Sequence, residues 1–356
     1  MVEGGAEHVF YVAVALRSQL ASVLQRTGVL ALAARGQRFS PYLPITGYHR
    51  IGDPAVVARE TDEGVVDVTA ADFERHVAFM ATRFEVVGVD ALRRYFVDKV
   101  PLPRNAALIT FDDGYRECFD IALPILRRHG VPGIFFVSTD HVVRRKVFWW
   151  DRIAYLFKRC TKRERVEIEY PKPVVLDLAK DLPRAHEDAL AVVKTTYGLD
   201  IERYLEGLSS ALDVPWTASH ERRISDETIM SWDHLRELRR AGMDVQSHSA
   251  THRILQTLSD EELKRELVDS KRVLEAELDE PICSIAYPNG HAVGQHTRIG
   301  RAVREAGYDL GFSGGGVCRL DAKTDPLDLR RVSVDLHVPE ATFRARVLLP
   351  PVFVRG

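Results

Sequence analysis

The run Ala106-Ala107-Leu108-Ile109-Thr110-Phe111, followed by Asp112-Asp113-Gly114, decides how this chain folds and where its chemistry sits. A short apolar run bounded by Asn105 and Gly114 reads as a buried strand. Asp112 and Asp113 then stand at its carboxyl end, where parallel α/β folds keep their active sites. Two ionised carboxylates that close repel each other; a divalent cation bound to one relieves the repulsion and leaves the other free to accept a proton. The same Asp-Asp-Gly also suits a plain turn, with an aspartate side chain capping a helix that begins near Tyr115.

A second constellation weighs on that choice. Met243 to Gln246 reads as another short strand, and Ser247-His248-Ser249-Ala250-Thr251-His252 follows it. Two histidines four apart can face one way on a helical turn, and with Asp113 they make a His₂-carboxylate set suited to Zn²⁺ or a similar first-row ion, with positions open for water and substrate. The plainer reading is a capped helix start, with Ser249 or Thr251 bonding backbone N–H groups.

Strands and helical stretches alternate along the chain, as a single (β/α) barrel requires. The helix Tyr115 to His129, the strand Gly133 to Val137 and a helix opened by the Ser259/Glu262 capping box and running to about Leu278 are examples. A largely helical insertion occupies about 148–231, headed by Phe148-Trp149-Trp150-Asp151, with helical patterns at Arg184 to Tyr197 and Ile201 to Leu212. Trp149 and Trp150 are candidates for stacking on sugar rings, though the plainer and favoured reading is that they anchor the insertion in the core. The expected organisation is a helical segment at 1–40, the barrel at 41–340 and an apolar tail at 341–356.

These motifs resemble the polysaccharide deacetylases with the NodB homology domain, carbohydrate esterase family 4. The likeness rests on Thr110 to Gly114, His248 to His252, Trp232-Asp233-His234-Leu235 leading to Gly242, and Gly130 to Val137, and it spans roughly Ile45 to Val334. It implies an α/β fold of the distorted (β/α)7 type and a metal-dependent hydrolase of N-acetyl or O-acetyl groups, with one ion, Zn²⁺ first and Co²⁺ or another second. Carried over by position, Asp112 is the general base, and Asp113, His248 and His252 hold the metal. Tyr287-Pro288-Asn289 falls at the third motif, with the Asn289 N–H as oxyanion donor. The arginine common in that motif is Ala286 here, so Arg330 or Arg331 becomes the candidate to orient Asp112. The usual late Leu-x-His is absent, since His337 follows Leu336 directly. Ile45 to Ile51, ending in Tyr48-His49-Arg50-Ile51, is instead similar to the permuted members that act on exopolysaccharide N-acetylglucosamine, which makes His49 the candidate general acid. The implied substrate is an N-acetylated glycan or its lipid-linked precursor. The alternatives are hydrolysis of another C–N bond, of the cyclic amide type, and a carbohydrate-binding relative without turnover.

The 356 residues are 46% hydrophobic and 28% charged with net charge −2, an ordinary globular balance without a nucleic-acid signal. Cys118, Cys160, Cys283 and Cys318 show neither disulfide nor metal spacing. The apolar run Val9 to Leu16 lacks a preceding basic region and is broken by Arg17 and Gln19, so no signal peptide or transmembrane helix is expected and the reading is cytoplasmic. An amphipathic helix from about Glu7 to Ala34 and the apolar Val347 to Val354 could pack on the barrel or meet a membrane surface.

Overall fold

A computed structural model describes residues 16–37, 40–294 and 296–354. The fold is a parallel barrel built from strands β1 (Ile45–Tyr48), β2 (Ala106–Phe111), β3 (Ile134–Val137), β4 (Asp244–Ser247), β5 (Ser284–Ala286), β6 (Leu310–Ser313), β7 (Leu329–Arg330) and β8 (Val332–Ser333). Their spatial order is β7-β6-β5-β4-β3-β2-β1-β8, and β7 and β8 are separated in sequence only by Arg331. The barrel therefore closes through one split segment, whose first half pairs with β6 and whose second half pairs with β1. The short strand Glu85–Val86 pairs beside the start of β2. This is a distorted (β/α)7-type barrel.

Side-chain alternation along β2 sorts its residues between two cores. Ala106 and Leu108 belong to the barrel interior with Ile134, Phe136, Ala286, Leu310, Phe312 and Leu329. Ala107, Ile109 and Phe111 belong to the larger core between barrel and helices. Continued by two more residues, the inner face of β2 delivers Thr110 and then Asp112 to the mouth of the barrel, at the carboxyl end of its strands.

Local sequence dictates most of the elements. Ser259 and Glu262 cap each other reciprocally and open the helix Asp260–Leu278. The segment expected as one helix from Tyr115 starts later, with a π turn over Cys118–Ala122 and an α-helix over Leu123–His129. The insertion holds the helices Trp149–Arg159, Leu182–Thr195, Ile201–Leu212 and Ala218–Thr228, and also a hairpin of Arg165–Ile168 with Val174–Asp177. Val166 and Ile168 alternate inward there, a period-2 signal too short to stand out among charged neighbours.

At the ends, a helix covers residues 16–26 and another spans Val29–Gly36, while all of the Val9 to Leu16 run except Leu16 lies outside the described residues. In the closing apolar stretch, helices Glu340–Leu348 and Pro350–Phe353 bury Phe343, Val347, Leu348 and Phe353. Among the described residues no helix is long and apolar enough to cross a membrane.

Candidate active site

The barrel mouth carries a cavity of about 450 Å³ lined by His49, Asp112, Asp113, Trp149, Trp150, His248, His252, Asn289 and Arg331 among others. Asp113 turns into it because its backbone adopts φ 73°, a left-handed conformation uncommon outside glycine, and Gly114 follows at φ 95°. The two histidines do not share a helical turn. They leave β4 in a loop in which Ser249 (φ 62°) and His252 (φ 55°) are both left-handed, and this coil, rather than helical spacing, brings the rings to 4.7 Å between centroids. Left-handed non-glycine residues cost energy, and they persist where packing and hydrogen bonds over-determine them. Here the buried Glu266 accepts from the Ala250 and Thr251 N–H groups and from the Thr251 hydroxyl, clamping the loop from below.

Asp113 Oδ1 lies 3.3 Å from His248 Nε2 and 3.2 Å from His252 Nε2. Donors bound to one tetrahedral ion at about 2.0–2.1 Å sit about 3.3 Å apart along the edges, so these spacings suit such an ion. His248 Nδ1 is 2.8 Å from the Ala286 carbonyl, which makes that nitrogen a donor and points Nε2 at Asp113. Asp113 Oδ1 is buried and has no hydrogen-bond partner of good geometry among the described residues, a state that costs free energy unless a ligand is present. Burial raises the Asp113 carboxyl, but the two histidines outweigh it and hold it well below the usual range, while burial lowers His252. A carboxylate oxygen and two imidazole nitrogens form the buried set able to hold a metal, and these residues fit one.

Asp112 is treated differently. Arg331 grips it with two parallel bonds of 2.6 Å, Nη1 to Oδ1 and Nη2 to Oδ2, across 219 residues of sequence. Burial pushes the Asp112 carboxyl up, yet Arg331 leads the opposing charges and the net direction is down. Arg330 instead bonds Asp328, which settles which of the two neighbouring arginines faces the site. His49 Nε2 stands 3.9 Å from Asp112 Oδ2, and its Nδ1 is 3.0 Å from Asp67, which also accepts from the His49 N–H. Burial pulls this imidazole down, but Asp67 foremost among the surrounding carboxylates pushes it up to about 10. His337 is exposed and does not line the cavity.

The remaining expected residues divide. Asn289 (φ 62°) and Gly290 line the cavity, while the Tyr287 side chain turns away and donates to the Leu327 carbonyl at 2.8 Å. Trp149 and Trp150 both line the wall with only 6% of their surface exposed. Trp150 is locked: Nε1 donates to Tyr115, the ring stacks on Phe148, and its edge meets His252. Tyr115 donates in turn to Asp151, whose carboxyl burial raises to about 7. The insertion also contributes Leu190 and Lys194 to the wall. Two residues that hydrogen-bond the site residues or their loop escaped the sequence reading. Asp67 was visible only as a lone acid between Val66 and Val68, and Glu266 only as one acid among many on a charged helix.

The sequence profile of the polysaccharide deacetylase family matches residues 99–170 and 202–311, which carry Asp112, Asp113, His248 and His252. The chain belongs to that family. Among curated proteins none matches it in sequence. Solved structures similar to this deacetylase fold include Streptococcus pyogenes deacetylase PplD in complex with acetate, at 15% identity and TM-score 0.53, covering 83% of this chain and 93% of that one. A polysaccharide deacetylase from Bacillus cereus aligns at 16% identity and TM-score 0.52, over 86% of this chain and 69% of that one. A de-N-acetylase from Aggregatibacter actinomycetemcomitans aligns at 13% identity and TM-score 0.50, over 85% of this chain and 98% of that one. The unmatched 171–201 falls inside the insertion, which supplies Leu190 and Lys194.

Proposed function

We propose that the chain is a metal-dependent hydrolase that removes acetyl groups from N-acetylated sugars of a polysaccharide or of its lipid-linked precursor. The observation that carries this reading is the pairing of opposites at one cavity floor. Asp112 is kept ionised by Arg331, and the half-exposed His49 is kept protonated by Asp67, 3.9 Å apart and beside the Asp113-His248-His252 trio. A base and an acid whose environments push their pKa values in opposite directions are what amide hydrolysis needs, since one proton must leave water and another must reach the departing nitrogen.

Asp113, His248 and His252 would hold a divalent ion, Zn²⁺ or Co²⁺, which would supply polarisation of the carbonyl and a lowered pKa for water. Asp112 takes the proton from the water whose oxygen attacks the acetyl carbon. The Asn289 N–H donates to the developing oxyanion. His49 then gives its proton to the amide nitrogen as the C–N bond breaks, releasing acetate and a free amine. Arg331 and Asp67 act as positioning residues, fixing the charge and orientation of the base and the acid. Trp149 offers the sugar its apolar face, and the cavity, short of strong net charge, suits a neutral or weakly charged glycan.

Release of acetate from chito-oligosaccharides, lost with a chelator and regained with Zn²⁺ or Co²⁺, is the expected result. Ammonia or ring-opened product from a cyclic amide in place of acetate would overturn the substrate class, and glycan binding without turnover would overturn the enzyme.

A further inference from the structure

The exposed large apolar side chains of this protein are unevenly distributed. Of the thirteen among the described residues, Leu16, Leu20, Val23, Val29 and Leu32 fall within the helical residues 16–36. Leu16 (59% exposed), Leu20 (43%) and Val23 (53%) follow the i, i+4, i+7 spacing of one helical face, and Leu32 is 67% exposed on the next helix. These helices are not loose. Ala21 and Leu30 are buried, Ser18 accepts from the Thr342 hydroxyl at 3.2 Å, and Val29–Gly36 packs on Glu340–Leu348. One face is anchored to the body of the protein and the opposite face presents leucine and valine to the outside.

The charges on this segment have one sign. Residues 16–37 contain Arg17, Arg26 and Arg35 and no aspartate or glutamate. None of the three arginines forms an ion pair with a described residue. A groove of about 500 Å³ runs alongside, with Leu30, Phe79 and Leu348 as apolar lining and Arg75, Arg83 and Arg344 at its edges. Its one carboxylate, Glu340, pairs with Arg75 and Arg344, which leaves Arg83 without a carboxylate partner among the described residues.

An apolar stripe flanked by arginines has the chemistry of a segment lying in a membrane interface. A protein partner could cover the leucines, but an all-basic border favours a surface of dense negative charge. We propose that the 16–36 helices and the adjoining groove dock this protein on an anionic lipid leaflet, with Leu16, Leu20, Val23 and Leu32 inserted among the acyl chains and Arg26, Arg35 and Arg83 at the phosphate level. Docking there does not depend on the deacetylase reading, because binding is measured without turnover.

The test is co-sedimentation of the full chain with vesicles of phosphatidylcholine alone and of phosphatidylcholine with 30% phosphatidylglycerol, a composition set by the experimenter to supply roughly physiological negative surface charge. The protein is expected in the pellet with the anionic vesicles and to return to the supernatant in high salt, as screening weakens the arginine contribution. The L16S/L20S/L32S variant alters only exposed side chains, so its circular dichroism melt should match the parent while its vesicle-bound fraction falls roughly tenfold or more. R26E/R35E should lose binding to anionic vesicles and keep its acetate release. Parent protein that stays in the supernatant with anionic vesicles overturns the proposal. So does equal pelleting of parent and both variants, or a concentration-dependent dimer that the leucine variant dissolves in the absence of vesicle binding.

Discussion

The two sides of the cavity floor solve opposite problems. On the Asp113 side three buried ligand atoms converge and an acidic oxygen lacks a hydrogen-bond partner of good geometry among the described residues, so the arrangement suits a ligand. On the Asp112 side every charge already has its partner: Arg331 on the carboxylate, and Asp67 on His49. Chelation needs donors left open, whereas proton transfer needs donors and acceptors fixed in advance. Adjacent residues of one strand end thus face two different environments, because one carboxylate continues the inward alternation of β2 while the next is swung round by a left-handed backbone.

The largest separation between the two sides should come from His248→Ala and Asp113→Ala. Both should lose bound metal and more than about 10³-fold in acetate release, since Lewis-acid stabilisation is worth several kcal/mol. Metal content by mass spectrometry distinguishes them from variants on the other side, and full metal occupancy in Asp113→Ala would dissolve the comparison.

Arg331→Ala comes next. Acetate release should drop about 10- to 100-fold with metal content retained, and the fold should lose about 3–5 kcal/mol because the buried Asp112 carboxylate is left unpaired. Arg331→Lys restores the charge but not the fork, so it should recover stability more than kcat. Metal loss in either variant would show that the two sides are not separable.

Asp67→Asn addresses the acid. With Asp67 present the His49 imidazole is pushed up to about 10, so the stability linked to its proton is fully present below the unfolded value of 6.5 and is lost as pH rises through about 10, where activity that needs the protonated ring fades as well. Without Asp67, burial dominates, and the alkaline limb of the kcat profile should move towards neutrality. An unmoved limb would remove His49 from the role of acid.

The smallest effect is expected at Asp151→Asn. The buried carboxyl titrates near 7 in the folded state against 3.8 in the reference, so the native state binds the proton more tightly and stability falls as pH rises between those values. Asparagine should flatten that slope by a few degrees of Tm, measured by calorimetry from pH 4 to 7, and leave metal content unchanged. A melting curve with the parent's pH dependence would exclude Asp151 as its source.

Much of this protein was legible one strand at a time. The apolar run before Asp112, the capping box at Ser259 and the two-residue acid motif are short-range patterns, and they appear where period and capping rules put them. The His248 and His252 pair was legible as a pair, though its helical explanation was not the physical one, because spacing does not report the left-handed residues that fold the loop. The partner of Asp112 was harder. Two neighbouring arginines were indistinguishable in sequence, and only closure of the barrel through β7 and β8, with Arg331 between them, turns one inward and leaves the other on Asp328. Asp67 lay beyond reach for the same reason, since it meets His49 through pairing of the strand Arg50–Ile51 with Val66–Val68.

Sequence by itself determined the strand-end carboxylates, the histidine pair and the barrel class, since these follow from side-chain periodicity and ligand chemistry within a few residues. Tertiary structure alone decided which arginine reaches Asp112, which carboxylate reaches His49, and which leucines stay uncovered. Those depend on contacts between distant segments, and no local pattern encodes which distant segment arrives.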